Sequence, residues 1–253
     1  MKNFMKLACV VALAFFAAAQ AHAVVYFSDT FTYSDGPITN VSGGVWNGFS
    51  GASPVNVSNG EAIVSQALTQ DVAAQLTGSP HSNDVLYAKF DFNFSVVPGI
   101  SNATSQFFFF KDSGVSSFMG RVFGVGTNGP GILRLGMNAT AGGSPTHIFP
   151  MDLSTGTWYT AVLKVDQTAV ASDKVTLWVN PTLESDPSVS ATGTLANLAI
   201  STVALRQATT EGIVNIDNLV VGDSFGAVIP EPSTILLVGA GLVSLLAVRR
   251  RRS

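Results

Sequence analysis

The sequence predicts an all-β chain, a two-sheet antiparallel sandwich held between an export signal and a short C-terminal transmembrane helix. Three observations carry that expectation. Several central segments alternate apolar and polar residues with period two, which places one face of each strand in a core. Clusters of Gly, Asn, Ser and Pro separate these runs. Each end carries a largely apolar stretch flanked by basic residues. Of the 253 residues 47% are hydrophobic and 11% charged, against about 25% charged in a typical soluble chain.

The N-terminal element is read as a secretory signal over residues 1–23. Lys2 and Lys6 form its positive region, Leu7 to Ala19 its apolar region, and Ala21-His22-Ala23 the small-x-small cleavage site, with removal after Ala23. The apolar run is too short for a lasting anchor. The single cysteine, Cys9, lies inside it, so the mature chain is expected to have no disulfide or thiolate chemistry.

Residues 24–228 are expected to form one domain. In Val85 to Val96, Leu86, Ala88, Phe90, Phe92, Phe94 and Val96 share one face and Lys89, Asp91, Asn93 and Ser95 the other. Tyr159, Ala161, Leu163 and Val165 form a second apolar face, and Val175, Leu177 and Val179 a third that leaves Thr176, Trp178 and Asn180 outside. Ile213 to Val221 reads as a last strand bent at Asp217-Asn218. With shorter apolar pieces the total is roughly ten or eleven strands, the pattern of a sandwich or jelly roll. Glu61 to Leu76 is the one stretch that competes as a helix, with a short turn at Val72-Ala73-Ala74. In Gln106-Phe107-Phe108-Phe109-Phe110-Lys111, strict alternation turns two rings outward, either as a sugar-stacking platform or under a covering loop.

The C-terminal element, residues 229–253, joins Pro230-Glu231-Pro232 to an apolar run, Ile235 to Val248, and then Arg249-Arg250-Arg251-Arg252. Fourteen helical residues span about 21 Å, short of the ~30 Å hydrocarbon core. The arginines stay cytoplasmic by the positive-inside rule. Together these parts resemble the PEP-CTERM sorting signal. That resemblance implies a Gram-negative host and an exosortase-type membrane transpeptidase that recognises the tail. It further implies transient residence in the inner membrane, delivery to the envelope or extracellular matrix, and association with extracellular polysaccharide or biofilm.

A second resemblance concerns the domain. Phe27-Ser28-Asp29-Thr30-Phe31, Trp158-Tyr159, Leu177-Trp178-Val179-Asn180-Pro181 and Asn215-Ile216-Asp217-Asn218-Leu219-Val220-Val221-Gly222 are similar to strands of the concanavalin A-like lectin/glucanase (laminin G-like) jelly roll. They imply the fold and transfer no function by themselves.

Motifs for chemistry are sparse. Residues 24–228 hold seven basic residues against fifteen acidic ones, which offers no basic stripe for nucleic acid. No strand carries the closely spaced carboxylates that a retaining glycosidase needs, and Glu61, Glu184 and Glu211 stand far apart in sequence. Gly124-Val125-Gly126-Thr127-Asn128-Gly129 fits Gly-x-Gly-x-x-Gly, but Pro130-Gly131 and a following strand make it a hairpin loop rather than a dinucleotide site. His81 and His147 read as surface residues beside prolines. No cofactor is expected; a structural calcium ion is compatible with the fold, with Asp84 and Asp112 as candidates that no loop motif favours. Trp178 and Trp46 are the candidate carbohydrate-binding residues, since sugar rings stack on indoles. The expected function is that of an exported, non-enzymatic surface or matrix protein whose module binds exopolysaccharide. The alternatives are a purely structural matrix role and, behind it, a polysaccharide hydrolase.

Overall fold

A computed structural model describes residues 23–100, 106–114, 117–140, 143–168, 172–193 and 198–230. Among them the chain is all-β. In chain order the strands are β1 (Val25–Asp29), β2 (Gly36–Pro37), β3 (Trp46–Ser50), β4 (Asn56–Ser58), β5 (Glu61–Ser65), β6 (Asp71–Gln75), β7 (Val85–Val96), β8 (Gln106–Lys111) and β9 (Phe118–Gly126). They continue with β10 (Ile132–Asn138), β11 (His147–Ile148), β12 (Leu153–Ser154), β13 (Tyr159–Asp166), β14 (Lys174–Val179), β15 (Val189–Thr192), β16 (Thr202–Leu205) and β17 (Ile213–Gly222). Two single-turn helices, α1 (Ile38–Val41) and α2 (Phe225–Val228), complete the inventory.

The strands form two antiparallel sheets. The first runs β15-β14-β13-β7-β17-β5-β4-β2 with β1 added beside β17, and the second runs β11-β10-β9-β8-β16-β6-β3 with β12 beside β10. Strands distant in sequence become neighbours, as where β7 lies between β13 and β17. The alternation seen in β7, β13 and β14 points Phe90, Phe92, Phe94, Leu163 and Leu177 between the sheets, where all are buried.

The phenylalanine run resolves differently from strict alternation. Register irregularities between Gln106 and Phe108, and again between Phe108 and Phe110, interrupt the pairing of β8 with β9. Phe107, Phe108 and Phe110 therefore all join the main core, with Phe90 and Phe108 ring centres 4.3 Å apart. Phe109 alone turns to the far side of its sheet, where Phe49, Phe118, Ala73 and Ala204 cover it. No ring of this run is a platform.

The stretch from Glu61 to Leu76 is not helical; it supplies β5 and β6. Val72 and Ala74 are buried in the inter-sheet core, and that packing outweighs the weak helical preference of a short alanine-rich run. Gly124 and Gly126 end β9 and the residues that follow turn into β10, so the glycine motif is a hairpin loop. His81 is buried rather than on the surface, with Nδ1 3.1 Å from Asp84 Oδ2 and Nε2 3.1 Å from the Thr77 carbonyl. His147 is exposed in β11.

At the N-terminal end the Asp29 carboxylate, itself buried, accepts from the Phe31 amide at 2.7 Å, the Tyr33 hydroxyl at 2.8 Å and Trp46 Nε1 at 2.7 Å. This one acceptor fixes the path from β1 towards β3. Burial and the bond to Asp29 hold the Tyr33 hydroxyl well above its usual pKa.

Candidate functional site

The outer face of the first sheet carries side chains in rows across the strands. Lys164 of β13 pairs with Tyr87 of β7; in the next row Val162 lies between Lys89 and Trp178; in the third, Thr160 pairs with Asp91, which pairs with Asp217. Asn180 extends this third row, donating its amide to the Thr160 carbonyl and accepting from the Thr160 amide through Oδ1, both at 2.7 Å. A cavity of about 440 Å³ opens here, lined by Glu61, Asp91, Trp158, Tyr159, Thr160, Asn180, Asp217 and Asn218. Its size lies within the usual range of ligand sites.

A bulge builds its floor. The register of β17 slips between Asp217 and Val220, where the sequence predicts a bend, and Asn218 sits at φ +50°. Asparagine tolerates that left-handed conformation better than most residues, and bulges commonly re-aim side chains at sites. Asn218 Nδ2 donates to Asp91 Oδ2 at 3.0 Å and to Asp217 Oδ2 at 3.1 Å. Asp91 also accepts from Thr160 Oγ1 at 2.6 Å and pairs with Lys89 Nζ at 3.0 Å. Glu61 accepts from Asn215 Nδ2 at 2.6 Å. Burial raises the Asp217 pKa; the Asn218 amide lowers it, the neighbouring Asp91 and Glu61 raise it further, and Lys89 opposes them. The walls are thus rich in acceptors and carry three carboxylates, one of them paired with the Lys89 ammonium group beside the cavity. Trp158 stands at the rim, 42% exposed.

The two tryptophans named from the sequence are placed elsewhere. Trp46 is fully buried in the inter-sheet core, its indole N–H bonded to Asp29. Trp178 does face away from that core, as its alternation predicts, but α2 lies over it. Phe225 packs against both Trp178 and Tyr87 at ring-centre distances of 6.0 and 6.3 Å, and Val228 completes the cluster. Neither ring presents a free face, so neither serves as a stacking surface. Trp158 is the tryptophan that is exposed, and it lines the cavity. It directly precedes β13, and the sequence carried no signal that its ring would stay exposed.

Of the glutamates, Glu61 reaches the cavity, whereas Glu184 accepts from the Tyr87 hydroxyl at 2.6 Å and from Lys164 at 3.2 Å. Glu211 is buried in the β16–β17 connection, where it accepts from the Ala208 amide at 2.9 Å; burial pushes it up to about 9. Among the described residues no group of acidic, histidine or cysteine side chains is arranged to hold a metal. Asp84 is engaged by His81, and Asp112 accepts from the Gly114 amide.

Of the sorting and cleavage residues, Ala23 and Pro230 are described and exposed. Ala21, Glu231, Pro232 and Arg249 to Arg252 lie outside the described residues, as does the apolar run. No helix among the described residues is long and apolar enough to cross a membrane.

Comparison with known proteins adds two findings. Residues 228–252 match the PEP-CTERM protein-sorting motif. The chain is thereby marked as an exported protein, anchored transiently in the membrane, processed by an exosortase-type enzyme and then released. No curated protein matches it in sequence. Among solved structures, an alginate lyase of 13% identity superposes with a TM-score of 0.50 over 80% of this chain and 97% of that one. Lectin I-B4 from Griffonia simplicifolia, 17% identical, gives 0.49 over 78% and 98%. The likeness to the alginate lyase shows a shared two-sheet jelly-roll fold.

Proposed function

We propose that this is an exported, non-enzymatic jelly-roll module that binds extracellular polysaccharide through the cavity at Trp158. Signal removal after Ala23 leaves the domain at residues 24–228, and the tail from 229 delivers it to the envelope or matrix of a Gram-negative cell. The observation that carries the reading is the exposed Trp158 ring beside a cavity walled by Glu61, Asp91, Asp217, Asn180 and Asn218. An indole offers a flat apolar face to the C–H side of a sugar ring. Carboxylates and amide oxygens accept from its hydroxyls. Affinity electrophoresis of the protein with its tail cut at a protease site inserted after Ser233, through gels holding neutral, acidic or amine-bearing polysaccharides, tests it. Retardation by at least one polymer, lost in Trp158→Ala, is the expected result; no retardation in any gel returns the purely structural matrix role.

One observation favours a hydrolase as the second reading. Asp91 and Asp217 accept from the same Asn218 amide nitrogen, which sets their oxygens roughly 5 Å apart, near the spacing of a retaining glycosidase pair. Against it, Asp91 is committed to Thr160 and Lys89 as well. Release of reducing ends from a retarding polymer, abolished by Asp217→Asn, would select the hydrolase.

A further inference from the structure

We infer that the cavity shares its face with the surface that meets the membrane and its sorting enzyme, so ligand binding follows release of the tail. This rests on reading the cavity as the ligand site. The sorting motif begins at Val228, and Val228 is a packed residue of the domain, 3% exposed, lying with Phe225 on Tyr87, Val162 and Trp178. No linker separates module from motif: the Ile229 amide still bonds to the Phe225 carbonyl at 2.8 Å, and Pro230 follows at once. The covered residues Val162 and Trp178 stand one row from the cavity residues Thr160 and Asn180 on the same face of the same strands. Two residues along a strand amount to about 7 Å.

The N-terminal end leaves from the same corner. The Val24 amide donates to Asp223 Oδ1 and the Asp223 amide to the Val24 carbonyl, both at 3.0 Å, and Val25 pairs with Gly222. Both membrane-seeking segments of the precursor therefore emerge side by side. From Pro230 to the start of the apolar run at Ile235 the chain reaches at most about 17 Å, whereas a domain of this size is roughly 40 Å across. The tether is too short for the domain to turn this face away from the bilayer. A protein docked on Pro230 and the residues after it would cover about 800 Å² of the domain, a patch roughly 16 Å in radius. The cavity residue Thr160 stands about 7 Å along β13 from Val162, which the first residue of the motif covers.

The test uses the full chain, with Cys9→Ser to remove its one cysteine, in nanodiscs containing nitroxide-headgroup lipid. A bimane label is placed in turn at Leu183→Cys, beside Glu184 on the α2 side of the face, at Thr157→Cys on the cavity rim, and at Asn47→Cys on the opposite sheet. All three positions are exposed. Emission is expected to be lost most at Leu183→Cys, less at Thr157→Cys and least at Asn47→Cys. The loss should vanish once a protease site inserted after Ser233 is cut. Equal loss at all three positions, or greater loss at Asn47→Cys, overturns the inference. Because no ligand is used, that outcome leaves the polysaccharide reading to be decided by Trp158→Ala in the gel assay.

Discussion

Replacing Trp158 by alanine should weaken polysaccharide binding while leaving the fold intact. The ring is 42% exposed, which for a side chain of about 250 Å² leaves about 100 Å² for a ligand to cover. At 25 cal/mol per Å² full coverage contributes about 2.5 kcal/mol, roughly seventyfold in Kd, and coverage of one ring face about half that energy, roughly eightfold. The expected loss lies between those values, measured by calorimetric titration of the polymer that retards the chain. The roughly 150 Å² of the residue that packs on the domain should cost up to about 3 kcal/mol of stability, which a folded domain of this size survives. Trp46→Ala provides the contrast, because that ring is fully buried and hydrogen-bonded; it should cost about 3 to 5 kcal/mol of stability. Unchanged affinity in Trp158→Ala, or unfolding of that variant, would refute the placement of the site.

Asp29→Ala strands three donors, the Phe31 amide, the Tyr33 hydroxyl and Trp46 Nε1; urea denaturation should show a loss of about 3 kcal/mol or more. Burial raises Glu211 from 4.5 to about 9, so between those pH values the folded chain holds a proton that the unfolded chain has released, and stability falls as pH rises through that window. Glu211→Gln should match the parent at pH 4 and exceed it at pH 8 in urea melts; parallel curves at both pH values would contradict this. In a host with the sorting enzyme, mass spectrometry of the mature protein should find a C-terminus near Pro230 to Ser233, and replacing Glu231 should leave the full-length chain in the inner membrane. A mature protein retaining Arg249 to Arg252 would show the tail to be a plain anchor.

The strands that carry the site were legible because their alternation is strict: β7 as far as Phe94, β13 and β14 point the residues inward and outward that their spacing predicts, and only Val96, beyond a register slip against β17, turns out exposed. The bend at Asp217-Asn218 was legible too, since two polar residues interrupt an apolar strand. Which outward residues stay exposed was not, because exposure depends on what folds over them. Trp178 and Trp158 both lie outside the inter-sheet core, and α2, some fifty residues further along the chain, covers one and leaves the other. The cavity was hidden for a related reason. Glu61, Asp91 and Asp217 come from β5, β7 and β17, and only strand pairing makes them neighbours. The phenylalanine run shows the limit of periodicity itself, since one irregular pairing carries Phe107 and Phe108 into the same core.

Tryptophan emission tests the central claim most directly. Of the three tryptophans, Trp46 and Trp178 are buried and Trp158 is exposed, so a quencher in solution reaches chiefly Trp158. Acrylamide is suitable because it is neutral and is not repelled by Glu61, Asp91 and Asp217. Titrating the tail-released protein with the polysaccharide that retards it should lower the quenching constant to a plateau, and in Trp158→Phe the remaining quenching should be small and insensitive to the polymer. If the polymer binds with the same affinity and the quenching of Trp158 does not change, the ligand sits elsewhere and the cavity is not the binding site.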